Sequence, residues 1–147
     1  MGEVYLSSVM EYINAYYTDK LSNLHTAFEV ESYLDCLLFG DSNRLIEVLQ
    51  NIMENALKYG DGKYITISFS TEEDCCLITV KNSGCTLKED ELPHLFDSFY
   101  RGSNVGNAKG SGLGLYICRQ LMHMMDGEIF AEIKENEFLA TVVIHKV

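Results

Sequence analysis

Cations, proline and long apolar runs are all scarce in this sequence. Eleven Lys and Arg stand against 22 Asp and Glu, a formal net charge of −11 over 147 residues. Nucleic acid is held by a basic face that releases phosphate counterions, so this balance argues against a nucleic-acid surface and against docking on an anionic bilayer. It does not exclude a single anionic ligand, which backbone N–H groups and a few local cations can hold whatever the net charge. The longest apolar run, residues 138–144, is interrupted by Thr141 and falls far short of the ~20 residues a spanning helix needs. No basic segment precedes an apolar one near the start, so no secretory signal is read. The five cysteines, Cys36, Cys75, Cys76, Cys85 and Cys118, leave one over in any disulfide scheme. None has C-x-x-C spacing. Reduced thiols in a cytoplasmic protein are expected, and neither a disulfide framework nor a zinc site.

What is present is an ordinary globular mix, 47% apolar and 22% charged, at a length that fits one domain. Apolar residues recur at helical spacing over 4–17, through Leu6, Val9, Met10, Ile13, Tyr16 and Tyr17. Thr26 to Tyr33 and the short Cys36 to Phe39 read as strands. Gly40 ends the second, and Asp41 or Ser42 can cap a helix over 42–59 with the stripe Leu45, Val48, Leu49, Ile52 and Ala56. Gly60-Asp61-Gly62 stops that helix. Alternating strands follow, Tyr64 to Phe69 and Cys76 to Asn82, joined by an acidic turn. Residues 83–112 read as irregular and hold the only proline, Pro93. A helix from Leu113 to Met125 and a closing hairpin, Glu128 to Ile133 with Phe138 to Ile144, complete the chain. This order predicts an α/β two-layer sandwich, its mixed and mostly antiparallel sheet covered by helices on one face.

Three places combine residue types suited to chemistry. On the helix at 42–59, Asn51, Asn55, Lys58 and Tyr59 fall within an arc of about 100°, centred about 90° from the apolar stripe, at about 100° per residue. Two amides, an ammonium and a phenol thus line the edge of the buried face. An amide carbonyl is an oxygen ligand suited to Mg²⁺, although an ordinary amphipathic helix explains the flank equally well. Gly110-Ser-Gly112-Leu113-Gly114-Leu115 opens the next helix, where glycines admit close backbone approach and the helix start favours anions. It is neither a dinucleotide fingerprint nor a Walker A motif, since no strand leads into it and Gly-Lys-Ser/Thr is lacking. Third, Asn82 projects from a strand end beside Gly84, as a base-reading side chain would.

Order and spacing bring the three together. Asp41 to Tyr59, with Asn51, Asn55, Lys58 and Tyr59, resembles the N box of the GHKL ATPases, the superfamily of gyrase, chaperone, mismatch-repair and histidine-kinase ATPases. Val80 to Leu87 stands at the G1 box. Leu95-Phe96-Asp-Ser-Phe99-Tyr100-Arg101-Gly102 resembles the F box, Gly110 to Leu115 the G2 box, and Met125 to Ile129 the usual end of the following helix. The resemblance spans about residues 26–147 and is to the catalytic ATP-binding domain of bacterial sensor histidine kinases.

The resemblance implies the Bergerat fold, ATP and Mg²⁺. Asn55 becomes the metal ligand and Asn51 lies near the phosphates. Lys58 and Tyr59 meet phosphate or ribose, and Asn82 and Gly84 meet the base. Residues 98–112 become the ATP lid, where Arg101 and Lys109 contact phosphate and Gly110, Gly112, Leu113 and Gly114 wrap the triphosphate. Asn51, Lys58 and Arg101 carry the catalytic roles. All 147 residues are expected to form one catalytic domain, with residues 1–25 as an amphipathic helix and linker. It is expected to be a monomeric excised piece that lacks the dimerisation and phosphoacceptor domain. None of His25, His94, His123 or His145 has the Ser-His-Glu-like setting of an acceptor. The γ-phosphoryl group would go to a His on that missing domain, and through it to a response regulator. One departure concerns the base: Asn82-Ser83-Gly84-Cys85-Thr86 replaces Asp-x-Gly-x-Gly, a neutral amide where a carboxylate is usual. Two rival readings are a stand-alone serine kinase of the anti-sigma-factor type and a degenerate nucleotide-binding interaction module.

Overall fold

The apolar stripe of residues 45–56 is the inner side of the helix around which everything else is laid. In the computed structural model, which describes residues 2–97 and 114–147, the elements run β1 (Gly2–Tyr5), α1 (Leu6–Asn23), β2 (Ala27–Val30), β3 (Leu37–Gly40), α2 (Ser42–Tyr59), β4 (Tyr64–Glu72) and β5 (Cys75–Ser83). A 3₁₀ helix (Glu89–His94), α3 (Gly114–Met124), β6 (Glu128–Lys134) and β7 (Glu137–His145) follow. Five strands form one sheet in the order β2-β4-β5-β7-β6, while β1 and β3 make a separate two-stranded ladder. Only β2 against β4 is parallel; the other ladders are antiparallel. The mixed, mostly antiparallel α/β sandwich expected from the sequence is the one observed.

Inner and outer residues alternate along β7 and along β5 as far as Asn82, as a sheet covered on one face requires. Ile65, Ile67, Ile78, Val80, Ala140, Val142 and Ile144 are buried on that face. Against them lie Leu45, Val48, Leu49, Ile52, Met53 and Ala56 of α2, Leu6, Val9, Met10, Ile13, Tyr17 and Leu21 of α1, and Leu115, Cys118 and Met122 of α3. Each large side chain so buried contributes roughly 1.5–3 kcal/mol. Asp41 caps α2 by accepting from the Arg44 N–H at 3.0 Å.

Several boundaries differ from the sequence expectation. The helix expected over 4–17 starts at Leu6 and runs to Asn23. Its last turns hold because Leu21 is buried and the Lys20 ammonium meets Glu54 of α2 at 3.0 Å, so packing overrides the weak propensities of Thr18, Asp19 and Ser22. Strand β1 was not anticipated; its pattern carries a single buried residue, Val4, and its partner β3 lies far along the chain. The 26–33 strand shrinks to Ala27–Val30. Strands β4 and β5 reach almost to each other, leaving Glu73 and Asp74 as the turn, with Glu73 at φ 52°. The β6–β7 hairpin turns at Glu135 and Asn136, both at positive φ, the conformation that matches strand twist. The 83–112 stretch contains the 3₁₀ helix. Among the described residues no helix is long and apolar enough to cross a membrane.

Candidate functional site

The polar edge of α2 faces the start of α3 and the end of β5. Asn51, Asn55 and Tyr59 are half-buried there and Lys58 is exposed. The Asn51 side chain hydrogen-bonds the Cys118 thiol of α3, which also donates to the Val48 carbonyl at 3.5 Å. Burial pushes that thiol up to about 12, so it stays protonated. One turn along α2, Asn55 Nδ2 stands 3.2 Å from where a Cβ on Gly114 would sit. A side chain at the first residue of α3 would press on this amide, so glycine permits the two to meet. The amide of the N box therefore lies against a helix N-terminus, where the macrodipole favours negative charge. The Lys58 ammonium is 5.8 Å from the Tyr59 ring centre.

At its C-terminal end α2 closes directly on β5. A Cβ at Gly60 would fall 2.5 Å from Asn82 Nδ2, 2.7 Å from the Ala56 carbonyl and 2.9 Å from the Ser83 carbonyl, leaving no room for one. Asn82 is 3% exposed, and its NH₂ donates to the Ser83 carbonyl at 3.2 Å. It lies on the helix-facing side of β5, in step with Ile78 and Val80. Thr86, where a second glycine is usual, donates through Oγ1 to the Tyr59 carbonyl at 3.2 Å and so joins the same turn to α2.

Two residues not singled out by the sequence complete this corner. The Asp61 N–H donates to the Ser83 carbonyl at 3.0 Å, and Asp61 Oδ1 accepts from Ser83 Oγ at 2.5 Å and from the Lys63 N–H at 3.0 Å. The Ser83 hydroxyl and then the Lys63 amide hold the Asp61 carboxyl below the usual carboxylate range. Gly84, at φ +66°, passes so close that a Cβ would lie 2.5 Å from Asp61 Cγ. The signal was present as Gly60-Asp61-Gly62, which reads only as a helix stop. A third unanticipated contact sets Arg119 of α3 over Phe96, 4.0 Å from the ring centre, a cation–π contact that seats the buried F-box ring against the helix.

The fold thus brings Asn51, Asn55, Lys58, Tyr59, Asn82, Gly84 and Gly114 to one corner. Arg101, Lys109, Gly110 and Gly112, with the whole of the expected lid (98–112, Phe99 included), and Leu113 lie outside the described residues. Three of the four histidines have side-chain partners: His94 pairs with Asp97 and His123 with Glu128, each at 3.1 Å, and His145 faces Cys75 at 3.5 Å.

Residues 40–145 match the family described as histidine kinase-, DNA gyrase B-, and HSP90-like ATPase, and the chain belongs to that family. Membership implies ATP as its ligand. Over 93 residues it is 41% identical to signal transduction histidine-protein kinase AfsQ2 of Streptomyces coelicolor, covering 63% of this chain and 17% of that protein. Over 102 residues it is 37% identical to sensor histidine kinase RcsC of Escherichia coli, covering 68% of this chain and 11% of that one. The chain therefore spans less than a fifth of the length of these curated relatives. Among solved structures it is similar to the nucleotide-free catalytic domain of histidine kinase ThkA, with TM-score 0.81, 25% identity and 99% of each chain covered. The mycobacterial sensor histidine kinase MprB shares its fold, with TM-score 0.84 at 19% identity over 98% of this chain and 97% of that one.

Proposed function

We propose that the chain is a sensor-kinase catalytic domain that binds Mg-ATP at the α2–α3–β5 corner and presents its γ-phosphoryl group to a histidine on a separate dimerisation domain. The observation that carries this reading is the contact of Asn55 with Gly114. It sets a half-buried amide of one helix against the start of another; the amide oxygen would suit a hydrated hard cation and the helix start the negative charge of phosphate. The residues fit such a group. Asn55 would supply an oxygen ligand, with Asn51 one turn away towards the phosphates and the exposed Lys58 further along the same edge of α2. Bound Mg²⁺ would neutralise charge on the phosphate oxygens during transfer. The protein's own work is positioning. Asn82 meets the base, Tyr59 and Lys58 the ribose or phosphate, and Gly84 and Gly114 allow close approach. Arg101, Lys109, Gly110, Gly112 and Leu113 would complete the phosphate cradle, with Arg101 as a cationic contact to the γ-phosphoryl group. The acceptor histidine, its base and the onward transfer to a response regulator belong to other domains. The domain itself would be a cytoplasmic monomer.

Calorimetric titration with the β,γ-imido analogue of ATP, with Mg²⁺ and in EDTA, tests this. Binding is expected to be stronger with Mg²⁺. Asn55→Ala should lose about tenfold in the presence of the metal, the order seen when metal-site partners are removed, and little in EDTA. No binding by the unaltered chain under either condition overturns the proposal in favour of a degenerate interaction module.

A further inference from the structure

The amide at position 82 has two ends, and only one suits adenine. Adenine carries a donor NH₂ at its 6-position and a 6-oxopurine carries an acceptor. An amide free to turn over would serve either. Here it is not free. The Asn82 NH₂ is 3.2 Å from the Ser83 carbonyl; turned over, Oδ1 would face that oxygen, acceptor against acceptor. Gly60 packs against the NH₂ end as well. Asn82 Oδ1 has no hydrogen-bond partner among the described residues, in a side chain only 3% exposed. Oδ1 is not among the sealed, unpartnered polar atoms of the described residues, so a ligand's donor can reach it.

The orientation depends on the Ser83 carbonyl, and that carbonyl is held from outside the strand. Asp61 grips residue 83 at two points, its N–H on the carbonyl at 3.0 Å and its carboxylate on the hydroxyl at 2.5 Å. Ser83 Oγ also accepts the Tyr64 N–H at 2.9 Å and is itself 3.2 Å from the Tyr64 carbonyl. Gly84 lies against the same carboxylate. Building on the nucleotide-binding reading above, we propose that Asp61, acting through Ser83, is a positioning residue that fixes Asn82 as a one-way acceptor and so sets the site's preference for adenine over 6-oxopurines.

The test is the ratio of affinities for the β,γ-imido analogues of ATP and ITP, measured calorimetrically on the whole chain in Mg²⁺, with circular dichroism as the check on folding. Unaltered protein should favour the adenine analogue by about tenfold or more, as a site with a buried, matched acceptor does. Asp61→Ala and Ser83→Ala should each bring the ratio to within about threefold of unity, through loss of the carboxylate–hydroxyl bond, one of the bonds that hold residue 83 in place. Asp61→Asn should restore it, because its amide oxygen can still accept from Ser83 Oγ and the Lys63 N–H. If Asp61→Ala fails to fold, Ser83→Ala carries the test. A purely structural role would weaken both analogues in parallel and leave the ratio unchanged, which overturns the proposal. So does a ratio that Asp61→Asn fails to restore. If the unaltered chain binds both analogues alike, this inference falls while nucleotide binding stands; if it binds neither, the reading beneath it falls too.

Discussion

Strand β5 is one strand with two unlike ends. Near its start, Cys76 is buried beside Cys36, and the adjoining cavity of about 530 Å³ is lined by Tyr33, Phe69 and both thiols. The Tyr33 and Phe69 rings pack at 4.7 Å. At its finish, Asn82 and Ser83 are buried within the range of the core residues, and both are held by directional polar contacts. The apolar end tolerates adjustment, because dispersion contacts are numerous and individually weak. The polar end does not, because each buried donor or acceptor must find a specific partner. On the proposed reading, a β-sheet core continues straight into a recognition site through one terminal amide.

Four substitutions or titrations sharpen that contrast. The largest effect on stability should come from Ile78→Ala, a fully buried side chain midway along β5. Chemical denaturation should show a loss of about 2–5 kcal/mol, while the ratio of adenine to 6-oxopurine affinity stays as it was. Gly60→Ala should do less to stability, about 1–3 kcal/mol from overpacking, but more to binding. Its Cβ would displace the Asn82 amide and two carbonyls, so the ATP analogue should bind at least about tenfold more weakly. Equal affinity in this variant would break the comparison. Next, Asn82→Asp should strengthen binding of the ATP analogue by about threefold to tenfold, since a charged acceptor makes the stronger hydrogen bond.

The smallest effects are in pH dependence, and the two ends should respond at opposite limbs. Asp61 has a depressed folded-state pKa, so its contribution is complete above the ordinary aspartate value of 3.8 and is lost as pH falls below it. Cys76 has a raised one, pushed up to about 12 by burial first and then by Cys36. Its contribution is complete below the ordinary thiol value of 9.0 and is lost as pH rises toward about 12. Melting temperatures across pH should therefore flatten on the acid side in Asp61→Asn and on the alkaline side in Cys76→Ala. A shared response on one limb would contradict the assignment of the two ends.

Which parts of this were legible follows the same division. Periodicity showed α2, because its stripe is continuous and its cap and stop are local. It showed the hairpin of β6 and β7 for the same reason. It gave no hint of β1, whose pairing with β3 is a long-range event, nor of the last turns of α1, which rest on Leu21 and on Glu54 of another helix. At the site, Asn51, Asn55 and Asn82 could be picked out because their order and spacing, taken together with the glycine-rich helix start, match the boxes of one family; each alone has an ordinary explanation. Asp61 could not. An aspartate between two glycines has an adequate explanation as a turn residue, and its grip on Ser83 depends on β5 lying alongside, which only the fold supplies.

Helix α1 bears on where this unit can be divided. The Tyr17 hydroxyl lies 2.8 Å from Glu54, the neighbour of Asn55, and six α1 side chains fill the core behind the N box. The family match nevertheless begins at residue 40. A fragment cut at that boundary would keep every sequence motif and lose one wall of its interior. Val9, Ile13 and Leu21, none more than 1% exposed, would leave behind a bare face on α2, and stickiness rather than catalysis would be the first property measured. The smallest piece able to stand alone reaches back across α1, so a boundary drawn from shared motifs underestimates the physical unit that holds them.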